Sequence, residues 1–548
     1  MSQMNDITPS TASISATTLR AHHTRWYLNT RWYLTAIILL AAVLRLYALD
    51  SVPSGFFADE ALKGYDAYCI LHTGMDHYGE DFLPVFARAS NGYAEAILRY
   101  IVAVSIGLFG LNVFAVRLPM AIFGILSVYV IYRFADELFE NKATALFVAF
   151  LLAINPWHIS LTRVAFRPML LPLIFTIALV FLLRSRRNPN CIVWAGCVFA
   201  LSLWAYTVAR VFVPLAVAGM LIVFWPHIRK YPKQTFIGAG IFLVGFVFFA
   251  SYWLSPSGAT WANESVSAGL SRLIANYWYN LSIPFLFVFG NQHSYWENMF
   301  PPPGLAPLQY FEIVTMTVGI VALVRNWQRE YWMLVIWALA YPVASSATNF
   351  GAGNPTRLVP GVFLVVTVSG YGMWTIFRTV WDKRRFLVLT AVSLVVVLNI
   401  GVSVYIFFVD FPRRTQAEYH YGITEAFDIV KSNDSVDVYV SGQFWSAYIH
   451  TLYQTGFRPR EAQAVMRSLD LPRYGELIGD IRDVTFGRYH IRPIDRIFTE
   501  AASKTGSLTV VQAEDIENVD INRFETIRRI DYANGQPAIY VFRTLPTE

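Results

Sequence analysis

Charge is scarce in this sequence. Of 548 residues, only 15% are Asp, Glu, Lys or Arg, while 55% are hydrophobic. A soluble domain carries about 25% charged residues, so an ordinary soluble protein is excluded. Cysteine is scarcer still, at three. Cys191 and Cys197 share one apolar stretch and Cys69 stands alone in a polar loop, which implies no disulfide framework. A Gly-rich phosphate loop of the P-loop type is missing, so ATP-driven transport has no support. So is a Gly-Xaa-Ser-Xaa-Gly nucleophile elbow. No cleavable signal peptide is evident, because the first apolar run, 33–49, lacks a small-residue cleavage site and reads as a signal anchor. The net charge of +6 is not a nucleic-acid footprint, since Lys and Arg fall mostly in short clusters between apolar runs.

Those apolar runs are what the chain has in abundance, with a mean hydropathy of +0.43. A membrane-spanning helix needs about 20 largely apolar residues. Segments 33–49, 116–135, 143–155, 169–183, 191–206, 211–225, 236–254, 308–324, 332–347, 358–377 and 386–409 qualify as spans. Aromatic residues reach 16%, which suits belts at the two membrane interfaces. Basic clusters at Arg20/Arg25/Arg31, Arg184/Arg186/Arg187, Arg229/Lys230/Lys233, Arg325/Arg329 and Lys383/Arg384/Arg385 mark the cytoplasmic side. The parity works if 94–110, with Glu95 and Arg99 near its start, lies along the outer interface.

The expectation is a polytopic α-helical membrane protein of about 11–13 transmembrane helices. It sits in the plasma (inner) membrane with a cytoplasmic N-terminus. Residues 1–32 are expected to be disordered, 33–409 to form the membrane domain, and 410–548 to form a soluble extracytoplasmic α/β domain. Loops of about 50–95, 156–168 and 255–307 face outward. Beyond 410, segments 436–441, 507–512 and 538–543 read as strands, with Asn534-Gly535 as a hairpin turn. Segments 424–432 and 445–455 read as helices.

The clearest chemical signal is Phe56-Phe57-Ala58-Asp59-Glu60-Ala61, directly after the first span. Adjacent carboxylates are costly near hydrocarbon, although they also suit a plain helix N-terminus. A carboxylate there can serve as general base, taking a proton from an attacking hydroxyl. Around it stand Gly64-Tyr65-Asp66-Ala67-Tyr68, Leu71-His72-Thr73-Gly74, Tyr78-Gly79-Glu80-Asp81-Phe82-Leu83-Pro84, Leu108-Phe109-Gly110-Leu111-Asn112-Val113-Phe114-Ala115-Val116-Arg117-Leu118-Pro119 and Asn155-Pro156-Trp157-His158-Ile159.

This set of motifs, over roughly residues 33 to 380, resembles the C-type (GT-C) membrane glycosyltransferase superfamily. Within it, the likeness is to the protein O-mannosyltransferase and lipid A aminoarabinose transferase group, the family-39-like enzymes. The resemblance implies a GT-C fold, Asp59 as catalytic base and Glu60 in support. It further implies a polyprenyl-phosphate sugar donor and an inverting displacement toward an external acceptor: a protein hydroxyl, an envelope lipid or a glycan. The departing lipid phosphate needs nearby positive charge, and the candidates are Lys63, Arg99, Arg163, Arg167, Arg210 and Arg357. Many relatives carry a Lys-Pro pair where this chain has Ala94-Glu95, so the phosphate contact there is altered. His158, His293, Tyr295 and Trp296 are candidates for sugar or acceptor contact, although aromatics and basic residues at an interface also serve as belt and snorkelling groups.

No cofactor is expected, and no metal site is assigned, with weak divalent binding by the carboxylate pair left open. A diphosphate-linked donor with a metal-dependent site needs acids in the second outward loop, and 156–168 has none. The alternative class is a secondary transporter or flippase, which expects related halves and midplane ionisable groups. No internal repeat is visible. The partners expected are the lipid-linked donor, the external acceptor and the bilayer, with no nucleic acid.

Overall fold

The computed structural model describes residues 14–89, 92–255, 269–290, 299–300, 302–349, 351–380, 386–469, 471, 480–516 and 519–546. The membrane domain begins with α1 (Ile14–Leu46) and α2 (Ala58–Thr73), then the hairpin β1 (Phe86–Ala89) and β2 (Gly92–Glu95). Next come α3 (Ile97–Phe109), α4 (Val113–Phe139), α5 (Lys142–Ile154), α6 (Pro156–Thr162), α7 (Leu170–Arg184) and α8 (Cys191–Ser202). It continues through α9 (Ala209–Ile228), α10 (Pro232–Trp253), α11 (Leu270–Asn280), α12 (Glu312–Arg325), α13 (Trp332–Ser346), α14 (Pro360–Val380) and α15 (Phe386–Tyr405).

A helix stands at each predicted span. Among the described residues, six stretches are individually long and apolar enough to cross a bilayer, and α5 with α6 pass together as a bent pair. Helix α1 extends well before residue 33, into the segment expected to be disordered, because no Pro or Gly interrupts 14–46. Helix α3 packs against α2 and α4, burying Leu98, Val102 and Ile106 and exposing Val104, Leu108 and Phe109. That two-faced pattern is what a helix lying along a membrane interface requires. The span helices α12 and α14 pack backbone against backbone: a Cβ on Gly372 would stand 1.8 Å from the Thr315 carbonyl oxygen, the close approach small residues permit in membranes.

The 57° break between α5 and α6 has a covalent cause. Pro156 has no N–H and cannot continue the α5 ladder, so carbonyls on α5 lose their partners. Arg45 on α1 takes up two of them, donating to Leu152 at 3.1 Å and Ala153 at 3.0 Å. The Asn155 side chain then caps α6 by accepting from the His158 N–H at 2.8 Å.

Beyond Arg414 the chain forms an α/β domain of α16 (Ile423–Lys431), β3 (Val438–Ser441), α17 (Ala447–Thr455), α18 (Pro459–Ser468), β4 (Val484–Phe486), β5 (Tyr489–Arg492), α19 (Ile494–Ala502), β6 (Leu508–Gln512), β7 (Phe524–Asp531) and β8 (Pro537–Thr544). Its sheet has the order β4-β5-β3-β6-β8-β7. Strand β3 runs parallel to both β5 and β6, and the outer pairs are antiparallel. All four residues of β3 are buried, as expected for a central parallel strand covered on both faces. The β7–β8 hairpin turns at Asn534-Gly535, where Gly535 has φ of 82°. The hairpin β1–β2 and strands β4 and β5 have no counterpart among the predicted elements, since runs of three or four residues give too little alternation to read.

The two domains share one continuous apolar cluster, in which Phe56 and Phe57 join residues such as Phe427 and Tyr453. Helices α17 and α18 lie against α2. Tyr65 donates to the Phe457 carbonyl at 2.7 Å, and Gln463 donates to Thr73 Oγ1 and the Asp76 carbonyl, both at 2.8 Å.

Candidate active site

The site is built on the first turns of α2. Glu60 is buried at 1% exposure and receives three donors: Arg117 Nε at 2.9 Å, a terminal Arg117 nitrogen at 2.9 Å, and the Ala165 N–H at 3.0 Å. Arg117 also donates to the carbonyls of Leu49, Pro53 and Gly55. Glu60 is therefore a strut between α2, α4 and the segment after α6. Successive helical residues are 100° apart, so anchoring Glu60 inward turns Asp59 outward. The Asp59 side chain is 40% exposed, and its carboxylate lies 3.4 Å from Lys63 Nζ, one turn on.

Lys63 is buried and sits 4.8 Å over the Phe166 ring. Burial lowers its pKa; Asp59 opposes that, and the charges of Arg167 and Arg99 add to it. Arg167 follows, with Nε 3.1 Å from Glu95, and its guanidinium lies 5.6 Å from the Tyr206 ring. On the other side of the same carboxylate, Arg210 lies 3.6 Å from Glu95 and 5.5 Å from the Trp253 ring. Arg357 interacts electrostatically with Tyr206 and bonds Thr348 Oγ1. Four of the six predicted basic residues are thus linked in a chain that starts at Asp59: Lys63 beside it, Arg167 near Lys63, and Arg210 and Arg357 joined to Arg167 through Glu95 and Tyr206. A wall of stacked aromatics, with Phe86 3.5 Å from Tyr252 and 5.5 Å from Trp204, closes the Glu95 side.

The other two basic candidates are committed elsewhere. Arg163 is fully buried and donates to the carbonyls of Leu44, Tyr47, Ala48 and Val52, closing the exposed end of α1. Arg99 pairs with Asp66 at 2.6 Å and donates to the carbonyls of Ala87, Ala94 and Arg88. His77 donates to the same Asp66 at 2.6 Å through Nδ1, and its Nε2 meets Tyr448 of the α/β domain at 3.4 Å. Burial alone would raise the Asp66 carboxyl; Arg99 and His77 hold it below the ordinary carboxylate value. These two arginines spend most of their donors on protein oxygens, a correction to the sequence reading, which offers them to a phosphate. His158 is corrected likewise. It is fully buried, with Nδ1 accepting from Arg45 at 2.7 Å, and presents no surface to an external sugar. His293, Tyr295 and Trp296 lie outside the described residues.

Arg117, Glu95 as an acid shared by two arginines, and Tyr206 carry no role in the sequence reading. A signal for Arg117 was present: a charge at the head of an apolar span calls for an acidic partner, and Glu60 is one. Among the described residues, no group of three His, Cys, Asp or Glu side chains is placed to hold a metal ion.

With this geometry in place, comparison with known proteins gives consistent answers. Residues 96–253 match the family model for dolichyl-phosphate-mannose-protein mannosyltransferase. Over 94% of this chain and 98% of the other, the fold superposes on ArnT from Cupriavidus metallidurans in the apo state, with a TM-score of 0.55 at 14% identity. The same protein bound to undecaprenyl phosphate gives 0.53 at 14% identity, over 93% of this chain and 98% of that one. A sequence search against curated proteins gave no match. The chain is a multi-pass membrane protein with the fold of the GT-C membrane glycosyltransferases, and the likeness extends to nearly the whole length of ArnT.

Proposed function

We propose that this chain is an inverting glycosyltransferase that moves a sugar from a polyprenyl-phosphate donor to an acceptor outside the cytoplasm. Asp59 takes the proton of the acceptor hydroxyl as its oxygen attacks the anomeric carbon. The bond from that carbon to the phosphate oxygen breaks on the opposite side, and polyprenyl phosphate departs. Lys63, Arg167, Arg210 and Arg357 stabilise the charge that develops on the leaving phosphate. The observation that carries this reading is the pairing of a part-exposed carboxylate with a chain of basic side chains that starts beside it, while neighbouring arginines spend most of their donors on protein oxygens. The C. metallidurans ArnT with undecaprenyl phosphate bound shares the fold. Charge clusters between spans favour a cytoplasmic N-terminus with the α2 face and α/β domain on the other side of the membrane.

The test is sugar transfer from radiolabelled polyprenyl-phosphate sugars in proteoliposomes. Asp59→Asn keeps the size and loses the base, so transfer should drop by roughly 10²- to 10⁴-fold with donor binding retained. Equal transfer by the variant, or no turnover of any donor by the wild type, would sink the proposal.

A further inference from the structure

Glu95 is a buried acid placed among the cations that the proposed reaction needs for phosphate. It ends β2, with one oxygen 3.1 Å from Arg167 Nε and the other 3.6 Å from an Arg210 nitrogen. Glu60 shows what a locked carboxylate looks like here: three donors, all within 3.0 Å, in aligned hydrogen bonds. Glu95 instead shares its two oxygens between two arginines, one contact each, at 3.1 and 3.6 Å. Arg167 makes no other polar contact among the described residues, which leaves its terminal nitrogens available to a second anion, the phosphate of the proposed reaction.

The charge of that second anion changes during transfer. A polyprenyl-phosphate sugar is a phosphodiester with one negative charge. The product is a phosphomonoester carrying about −1.5 to −2 at neutral pH. A cluster of Lys63, Arg167, Arg210 and Arg357 without an internal anion would therefore hold product more tightly than donor. Resting on the reading above, we infer that Glu95 is a fixed counter-anion: it offsets the charge of Arg167 and Arg210 and so speeds release of the doubly charged lipid phosphate. It acts through the arginines and touches no reacting atom.

The experiment uses the full chain and polyprenyl monophosphate itself as probe. Glu95→Gln should bind polyprenyl monophosphate at least tenfold more tightly than wild type. Its single-turnover rate should stay within threefold while steady-state turnover falls, because release has become limiting. Glu95→Asp, which keeps the charge, should restore most of the release rate. If Glu95→Gln binds the probe equally or more weakly and both rates fall together, Glu95 merely props the arginines and the inference is overturned. Tighter probe binding by Glu95→Gln in a protein that transfers no sugar would support the counter-anion and overturn the transferase reading alone. A wild type and variant that both fail to bind the probe would overturn both.

Discussion

Arg117 and Glu60, 57 positions apart, meet in a two-pronged pair with both contacts at 2.9 Å. Neither side chain is more than 1% exposed. Through it α4 sets the rotation of α2, and hence the direction of Asp59. Removing one partner of a buried pair leaves an uncompensated charge and costs about 3–5 kcal/mol. Arg117→Ala should lower the thermal midpoint sharply and abolish transfer. Arg117→Lys should recover little, because an ammonium cannot reproduce the fork. A variant with wild-type melting and activity would show that Asp59 is aimed by something else.

Arg163 and Arg167 are four residues apart, yet they should fail differently. Arg163→Ala takes the arginine donors from the carbonyls of Leu44, Tyr47 and Val52, each buried unsatisfied group costing about 1–3 kcal/mol, so lowered stability is the expected readout. Arg167→Ala removes a side chain whose polar contact is Glu95, so the melting temperature should move little while affinity for the lipid-linked donor drops. Comparing melting curves with donor titrations for the two variants checks this, and the reverse pattern would reassign the phosphate contact.

Acid should loosen the α/β domain. His420 and His450 are buried with ring centroids 5.0 Å apart, and Phe57 stacks on His420 at 6.0 Å. Tyr419 and Tyr453, neighbours of the two histidines in sequence, are buried and feel the charges of Glu60 and Arg117. Burial pushes His420 down to about 4 and His450 well below its ordinary value. Unfolded histidines bind a proton near pH 6.5, so between about 6.5 and 4 the unfolded state holds more protons. Stability is then retained above about 6.5 and falls as pH drops toward 4. Melting temperatures across that window should decline, and a His420→Gln/His450→Gln double variant should flatten the slope. An unchanged slope would place the titration elsewhere.

Gly55 tests the contact between the two domains at one atom. Its φ is 91°, and a Cβ there would stand 2.2 Å from the Tyr419 carbonyl oxygen. Gly55→Ala should lower the thermal midpoint by an amount equivalent to a few kcal/mol, through positive-φ strain and the clash together. Limited proteolysis of the variant should cut near residue 414 sooner than in wild type.

Much of this was legible in the sequence, for identifiable reasons. Long apolar runs announce helices because a bilayer demands them, and each of the eleven spans found one. Asp59 stood out because a carboxylate beside hydrocarbon is costly. The basic residues were harder to separate. Nothing local distinguishes Arg163 from Arg167, since the difference lies in whether the end of α1, more than a hundred residues away in sequence, offers carbonyls to one and not the other. His158 misled for a similar reason: its partner Arg45 sits on a helix 113 positions earlier. Glu95 read as a mere departure from a motif until its two arginines came together in space.

The docking of α17 and α18 on α2 blurs a boundary that composition draws sharply at residue 410. The helix carrying Asp59 is gripped from one side by Arg117 and from the other by Phe457 and Gln463, while Tyr448 meets His77 in the loop that follows. Composition has a seam there, but the fold has none. A chimera that exchanges the C-terminal region between relatives must therefore carry the matching α2 and the loop to Asp76 with it, or it will misalign the base. For protein engineering, and for inheritance, the unit is discontinuous: two distant stretches of chain that have to change together.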